Sequence, residues 1–126
     1  MKVKLRRIII FCQDAPKLAA FYQEHFGLKA VGPVDKNWTV LKAGSTEIAF
    51  HISNSSYLQL GAQKFKGANS NFKFVLEIQE DLDEFRQQLV AKKVKMKAIT
   101  RVPGLPYIWC DGKDPEGNVF QIMQTL

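Results

Sequence analysis

Residues 14–28 read DAPKLAAFYQEHFGL and carry the signals of a short helix whose two ends are both defined. Asp14 is a typical N-cap residue, and Pro16 fits the first helical turn, where its missing amide hydrogen is not needed. Apolar side chains then recur at helical spacing up to Gly27, a residue typical of the left-handed position that ends a helix. A strand rich in β-branched residues, 4–11, precedes this helix. Three short strands are predicted after it, around Ala30, Thr39 and Ile48.

The second half of the chain repeats this order of elements. Residues 71–79 alternate apolar and polar side chains, which predicts a half-buried strand. Asp81 then opens a second helix over residues 82–91, whose apolar side chains form one stripe. Three further strands are predicted, over residues 94–100, 107–110 and 118–123.

The repeated order predicts an α+β fold built from two βαβββ modules within a single domain, residues 1–126. The segment between the modules is rich in Ser, Asn, Gly and Gln, which is typical of a linker. The predicted boundaries are 1–53 for the first module, 54–70 for the linker and 71–126 for the second module.

Composition and charge are those of an ordinary globular chain. The 126 residues are 46% hydrophobic and 24% charged, which excludes a disordered or collagen-like protein. The net charge of +6 is mild, and the basic run at 92–97 lies where the second helix ends and cations complement the helix dipole. Nucleic acid is therefore not expected as a partner, and no apolar stretch is long enough to predict a membrane span. Cys12 and Cys110 lie in apolar runs, so buried reduced thiols and a cytoplasmic protein are expected.

Two motifs in register resemble the vicinal oxygen chelate superfamily, which includes glyoxalases, extradiol dioxygenases, methylmalonyl-CoA epimerases and the bleomycin- and fosfomycin-resistance proteins. The first motif is FYQEHFGL, residues 21–28, and the second is the turn DPEGN, residues 114–118, followed by the strand VFQI. In that turn Pro115 presets φ, and Gly117 is expected at a positive φ. The resemblance implies that the two modules form a cupped, mainly antiparallel sheet with a ligand in the cup, and that the protein is a homodimer.

The resemblance also implies four positions for the ligands of a divalent metal, and three of them hold unsuitable residues. Arginine cannot lose its proton, and lysine would have to lose its own before it could bind a metal. We therefore expect no metal and no other cofactor. A different set of donors, formed by His51, Glu77 and Gln121, stays open as an alternative. The four implied positions are Arg7, Ala49, Lys73 and Gln121.

The expected function is that of a glyoxalase/bleomycin-resistance-like protein, metal-free, which binds a small planar or anionic molecule. The alternative is a metal-dependent lyase, isomerase or dioxygenase of the glyoxalase type, so the sequence leaves open whether the protein is an enzyme. Arg7 needs a partner in a partly dry cup, which is an anionic or polar ligand, an internal carboxylate such as Glu77, or water. Trp38 and Trp109 serve either as platforms for a planar ligand or as core. No residue is assigned a catalytic role. The candidate ligand-binding residues are Arg7, Trp38, His51, Lys73, Glu77, Tyr107, Trp109 and Gln121.

Overall fold

The structure is a computed structural model that describes residues 2, 5–52 and 73–126. The chain divides into two compact units, Met1–Lys64 and Phe65–Leu126. The predicted linker at 54–70 lies outside the described residues. Within the described part of the chain, no helix is both long and apolar enough to cross a membrane.

The first unit has the predicted order βαβββ. Its sheet has the strand order β1-β4-β3-β2, in which β1 and β4 are parallel and the other two pairs are antiparallel. Helix α1 packs against β3 and β4, and Tyr22 of the helix stacks on Phe50 with ring centroids 5.5 Å apart. The elements are β1 (Arg7–Cys12), α1 (Ala15–Phe26), β2 (Lys29–Ala30), β3 (Trp38–Ala43) and β4 (Thr46–Ile52).

The second unit repeats this topology with the strand order β5-β8-β7-β6, again with one parallel and two antiparallel pairs. The second helix begins under β8, where the Leu82 amide donates to the side chain of Gln124. The predicted α+β fold of two βαβββ modules is confirmed. The elements are β5 (Phe74–Glu77), α2 (Leu82–Ala91), β6 (Lys95–Met96), β7 (Tyr107–Lys113) and β8 (Val119–Thr125).

Both predicted ends of α1 are formed as the residue types indicate. The side chain of Asp14 accepts a hydrogen bond from the Lys17 amide at 3.1 Å, which satisfies one free amide of the first turn. Gly27 has φ of 66° and donates its amide hydrogen to the Gln23 carbonyl. These two contacts define where the helix begins and ends.

The predicted strand at 94–100 is much shorter in the structure. Only Lys95 and Met96 form β6, and pairing with β7 resumes in an isolated bridge between Thr100 and Trp109. The Lys97 amide donates a hydrogen bond to the Asp111 carbonyl. From this contact to the Thr100–Trp109 bridge, the chain after β6 advances three residues while β7 advances two. An extra residue of this kind interrupts the ladder, as in a β-bulge.

Alternation along β1 separates the two faces of the first sheet. Arg7, Ile9 and Phe11 are exposed, whereas Cys12 is fully buried on the side of α1. We call the side of this sheet that points away from α1 the first face. Its residues, given by strand register, are Lys29, Lys42, Glu47, Arg7, Val40, Ala49, Ile9, Trp38, His51 and Phe11.

The second sheet has a corresponding side that points away from α2, which we call the second face. Along β7, Ile108, Cys110 and Gly112 are buried on the helix side while the residues between them are half-buried. The second face holds Val75, Glu77, Tyr107, Trp109, Asp111, Lys113, Gln121 and Met123, with Lys95 at its edge.

The turn before β8 forms around a buried carboxylate. Asp114 is 5% exposed, and its Oδ1 accepts hydrogen bonds from the amides of Glu116 and Asn118, both at 2.9 Å. Gly117 has φ of 84°, and its amide donates to the Asp114 carbonyl. The positive φ predicted for Gly117 is confirmed.

Candidate functional site

The first face is divided into three cross-strand rows, because directly paired residues share one side of a sheet. The basic row crosses all four strands, and the middle row lies next to it. The aromatic row lies at the beginning of β3, the end of that strand farther from the basic row. The basic row is Lys29, Lys42, Glu47 and Arg7, the middle row is Val40, Ala49 and Ile9, and the aromatic row is Trp38, His51 and Phe11.

Arg7 makes an ion pair within its own sheet. Its Nε and Nη2 donate to Oε1 of Glu47 at 3.0 and 2.6 Å, and Nε of Arg6 lies 3.7 Å from the same oxygen. The hydrogen bond from Arg7, helped by the charges of Arg6 and Lys42, lowers the pKa of Glu47 below its usual range. The carboxylate partner of Arg7 is thus Glu47, where the sequence had suggested Glu77, because the parallel register of β1 and β4 sets Arg7 directly opposite Glu47.

The same guanidinium also reaches the aromatic row. The Cζ atom of Arg7 lies 5.4 Å from the ring centroid of Trp38, within the range of a cation–π contact. The contact spans the middle row, where Ala49 is fully buried. Arg7 therefore links a carboxylate at one end of the first face to an indole at the other.

The aromatic row is a set of three rings in contact. His51 lies between Phe11 and Trp38, with ring centroids 5.6 and 5.5 Å away. Nδ1 of His51 lies within hydrogen-bond distance of the Ile52 carbonyl, which can only accept, so Nδ1 is the donor in this contact. Phe11 is 54% exposed, which is high for an aromatic ring.

The second face holds another cation bound to a carboxylate. Nζ of Lys73 lies 3.1 Å from Oδ2 of Asp111, and the amide of Gln121 donates to Oδ1 of the same side chain at 3.0 Å. Asp111 therefore joins two predicted site residues, Lys73 just before β5 and Gln121 on β8. Arg7 and Lys73 thus each have a carboxylate partner inside their own unit.

The remaining candidates on the second face fall into two separate contacts. Tyr107 and Trp109 have ring centroids 5.6 Å apart. Glu77 accepts a hydrogen bond from the hydroxyl of Thr125 at 2.9 Å.

Sequence reasoning missed the two acidic residues, Glu47 and Asp111. A signal was present for both, because residues two apart in a strand share one face. Glu47 is two residues before Ala49 on β4, and Asp111 is two residues after Trp109 on β7, so each acid lies on the same face as a candidate position. Strand alternation could therefore have found the residues. Their ionic partners required the cross-strand register.

The residues at the implied metal positions do not fit a metal ion. Ala49 has no donor atom, and Arg7 is a cation held by Glu47. Lys73 is likewise held as a cation by Asp111. Among the residues that the structure describes, no three His, Cys, Asp or Glu side chains are grouped closely enough to hold an ion.

Two βαβββ units, each with a helix on one side of a mixed four-stranded sheet, define a class of proteins built from paired modules. The family model of the Glyoxalase/Bleomycin resistance protein/Dioxygenase superfamily matches residues 4–122. The chain belongs to this superfamily. No curated protein matches the chain at a significant level.

Solved structures of similar fold cover nearly the whole chain at low sequence identity. A glyoxalase/bleomycin resistance protein/dioxygenase family enzyme from Burkholderia phytofirmans superposes with a TM-score of 0.79 at 23% identity, covering 98% of this chain and 100% of that one. The fosfomycin resistance protein FosX from Listeria monocytogenes gives 0.76 at 17% identity, with 100% and 96% covered. Lactoylglutathione lyase from Agrobacterium tumefaciens gives 0.70 at 17% identity, with 98% and 94% covered. At these identities the likeness shows the fold alone.

Proposed function

We propose that the protein binds a small planar molecule without a metal, and that the aromatic row of the first face holds its ring. The observation that carries this proposal is the contact of Arg7 with both Glu47 and Trp38. A guanidinium fixed in this way stands at a position where the family places a metal ligand.

The aromatic row supports a planar ligand in particular. An exposed ring beside two others offers a large apolar area, and aromatic pairs gain about 0.5–1.5 kcal/mol beyond their buried area. Phe11 is the most exposed of these rings and Ile9, next to it, is 46% exposed. Together they form an apolar surface that a flat molecule would cover.

The internal ion pairs bear on the charge of the ligand ring. Glu47 accepts hydrogen bonds from two of the five N–H groups of Arg7, so its negative charge balances the positive charge of the guanidinium. The remaining N–H groups can donate to a neutral oxygen or nitrogen of a ligand. A carboxylate attached directly to the ring would have to compete with Glu47 for Arg7. We therefore favour an uncharged planar group over an anionic one at this position.

A titration of tryptophan fluorescence with a panel of neutral aromatics, aromatic acids and cationic drugs tests the proposal. We expect saturable quenching by neutral planar compounds, and loss of that quenching in Phe11→Ala. Val90→Ala removes an exposed apolar side chain from α2 and should leave the quenching unchanged. If no compound of the panel quenches saturably, the proposal fails. If binding occurs only after a divalent metal is added, the metal-dependent lyase, isomerase or dioxygenase replaces it.

Cytoplasmic location and a homodimer belong to the same proposal. Both cysteines are buried thiols outside any disulfide, as expected for a reducing compartment. The homodimer is supported by the family resemblance. Light scattering coupled to size exclusion would show twice the monomer mass of 14.3 kDa, and a monomer at micromolar concentration would remove this part of the proposal.

A further inference from the structure

The basic row of the first face contains two lysines that oppose each other directly. Lys29 on β2 is the cross-strand partner of Lys42 on β3, and both side chains are exposed. Like charges directly opposite each other on a sheet destabilise the pairing. The charge of Lys42 acts on the carboxyl of Glu47, which Arg7 and Arg6 already neutralise.

The same arrangement occurs at the equivalent place in the second unit. Lys95 on β6 is the cross-strand partner of Lys113 on β7. In both units a tryptophan stands four residues before the inner lysine on the same strand, Trp38 before Lys42 and Trp109 before Lys113. This unfavourable lysine pair occurs in both units at the same spacing from a tryptophan. The repetition indicates that the pair has a physical cause and did not arise by chance.

Protection of the sheet edge explains only half of each pair. Strands β2 and β6 are edge strands, and lysine on an edge strand prevents pairing with another chain. This accounts for Lys29 and Lys95. It does not account for Lys42 and Lys113, which lie on inner strands. A neutral residue at either position would remove the repulsion, and the edge lysine would still protect the sheet edge.

We propose that Lys29 and Lys42 bind the anionic group of the same molecule whose ring lies on the aromatic row. An anion between the two ammonium groups converts their repulsion into two attractive contacts. Four residues along β3 separate Lys42 from Trp38, which corresponds to about 13 Å. The ligand class is thus an aromatic compound that carries a carboxylate or phosphate on a flexible arm. This inference rests on the proposed function and adds the position and charge of the second group.

Calorimetric titration with three naphthalene compounds tests the inference on the full chain. The first compound, 2-naphthalenemethanol, carries no charge. The second, 2-naphthoate, carries a carboxylate on the ring, and the third, 6-(2-naphthyl)hexanoate, carries a carboxylate at the end of a flexible arm. We expect the hexanoate to bind about 2- to 25-fold more tightly than the alcohol, since each of two exposed ion contacts contributes about 1.4- to 5-fold. The gain should shrink in 0.5 M salt, where exposed charges are screened.

The double variant Lys29→Gln/Lys42→Gln should lose this gain while its affinity for the neutral alcohol stays the same. Lys17→Gln/Lys92→Gln is the matched control, because it removes two exposed charges from the two helices. Equal binding of the hexanoate and the alcohol to the wild-type chain, or a gain that survives in the lysine variant, overturns the inference and leaves the proposed function standing. Absence of binding by all three compounds overturns the proposed function and the inference with it.

Discussion

Arg7 shows how one side chain alters what this fold can do. It occupies an implied metal position, accepts no metal because its proton is never lost, and instead connects Glu47 to Trp38. Lysine would not serve equally, because only a planar guanidinium can donate along its edge to a carboxylate while its face covers an indole. At this position the side chain can therefore donate hydrogen bonds but cannot bind a metal ion.

The Arg7–Glu47 pair predicts a pH dependence of stability. The pKa of Glu47 is lowered in the folded state from an ordinary value of 4.5. Ionised Glu47 therefore stabilises the fold above that value, and the contribution is lost as the pH falls through the lowered pKa. At pH 7 the wild-type chain should unfold at a higher midpoint concentration of urea than Glu47→Gln. This difference between the two midpoints should become smaller below pH 4.5.

Glu80→Gln controls for the loss of one carboxyl, because Glu80 lies in an exposed bend. It should show a smaller gap at pH 7. A gap for Glu47→Gln that stays constant from pH 7 to pH 3 would contradict the assignment of this ion pair.

Individual residues were predictable where local rules act on them. Asp14 and Gly27 behave as caps because capping depends only on neighbouring backbone. The exposed side of β1 followed from alternation. The partner of Arg7 did not, because a cross-strand register is a long-range property that a single strand does not encode.

Among the elements, the turn at residues 114–118 carries a clear prediction. Gly117 has φ of 84°, where a β-branched residue is strained. We expect Gly117→Val to lower the free energy of unfolding by about 1–3 kcal/mol. Gly117→Asn should cost less, because asparagine tolerates positive φ. Thermal or urea unfolding measures both, and equal stability of the valine variant and the parent would refute the role of this turn in holding β8.

The elements also show where periodicity fails. Strand β6 was predicted over seven residues from its composition, but the register slip against β7 limits it to two. In contrast, α2 was predicted with its observed bounds, because an N-cap and an apolar stripe are both local signals. Helices of this chain are thus read from sequence more accurately than its edge strands.

For the whole molecule, the donor chemistry predicts independence from metal. Added Zn²⁺, Ni²⁺, Mn²⁺ or Fe²⁺ should leave the melting temperature unchanged. A tight site at a hundredfold excess over its Kd would add about 2.7 kcal/mol, or on the order of 10 °C for a chain of this size. Elemental analysis of protein purified without chelators gives an independent measurement. A metal-dependent rise in Tm that disappears in His51→Ala and in Gln121→Ala would contradict this prediction.

The duplicated architecture has a consequence in the middle rows of its two faces. In the first unit the positions between lysine and tryptophan hold Val40 paired with Ala49, and in the second they hold Asp111 paired with Gln121. One copy of the repeat thus holds two buried hydrocarbon side chains where the other holds a hydrogen-bonded carboxylate and amide. The two units therefore share a topology but not a surface chemistry, so a substitution in one middle row has no equivalent in the other.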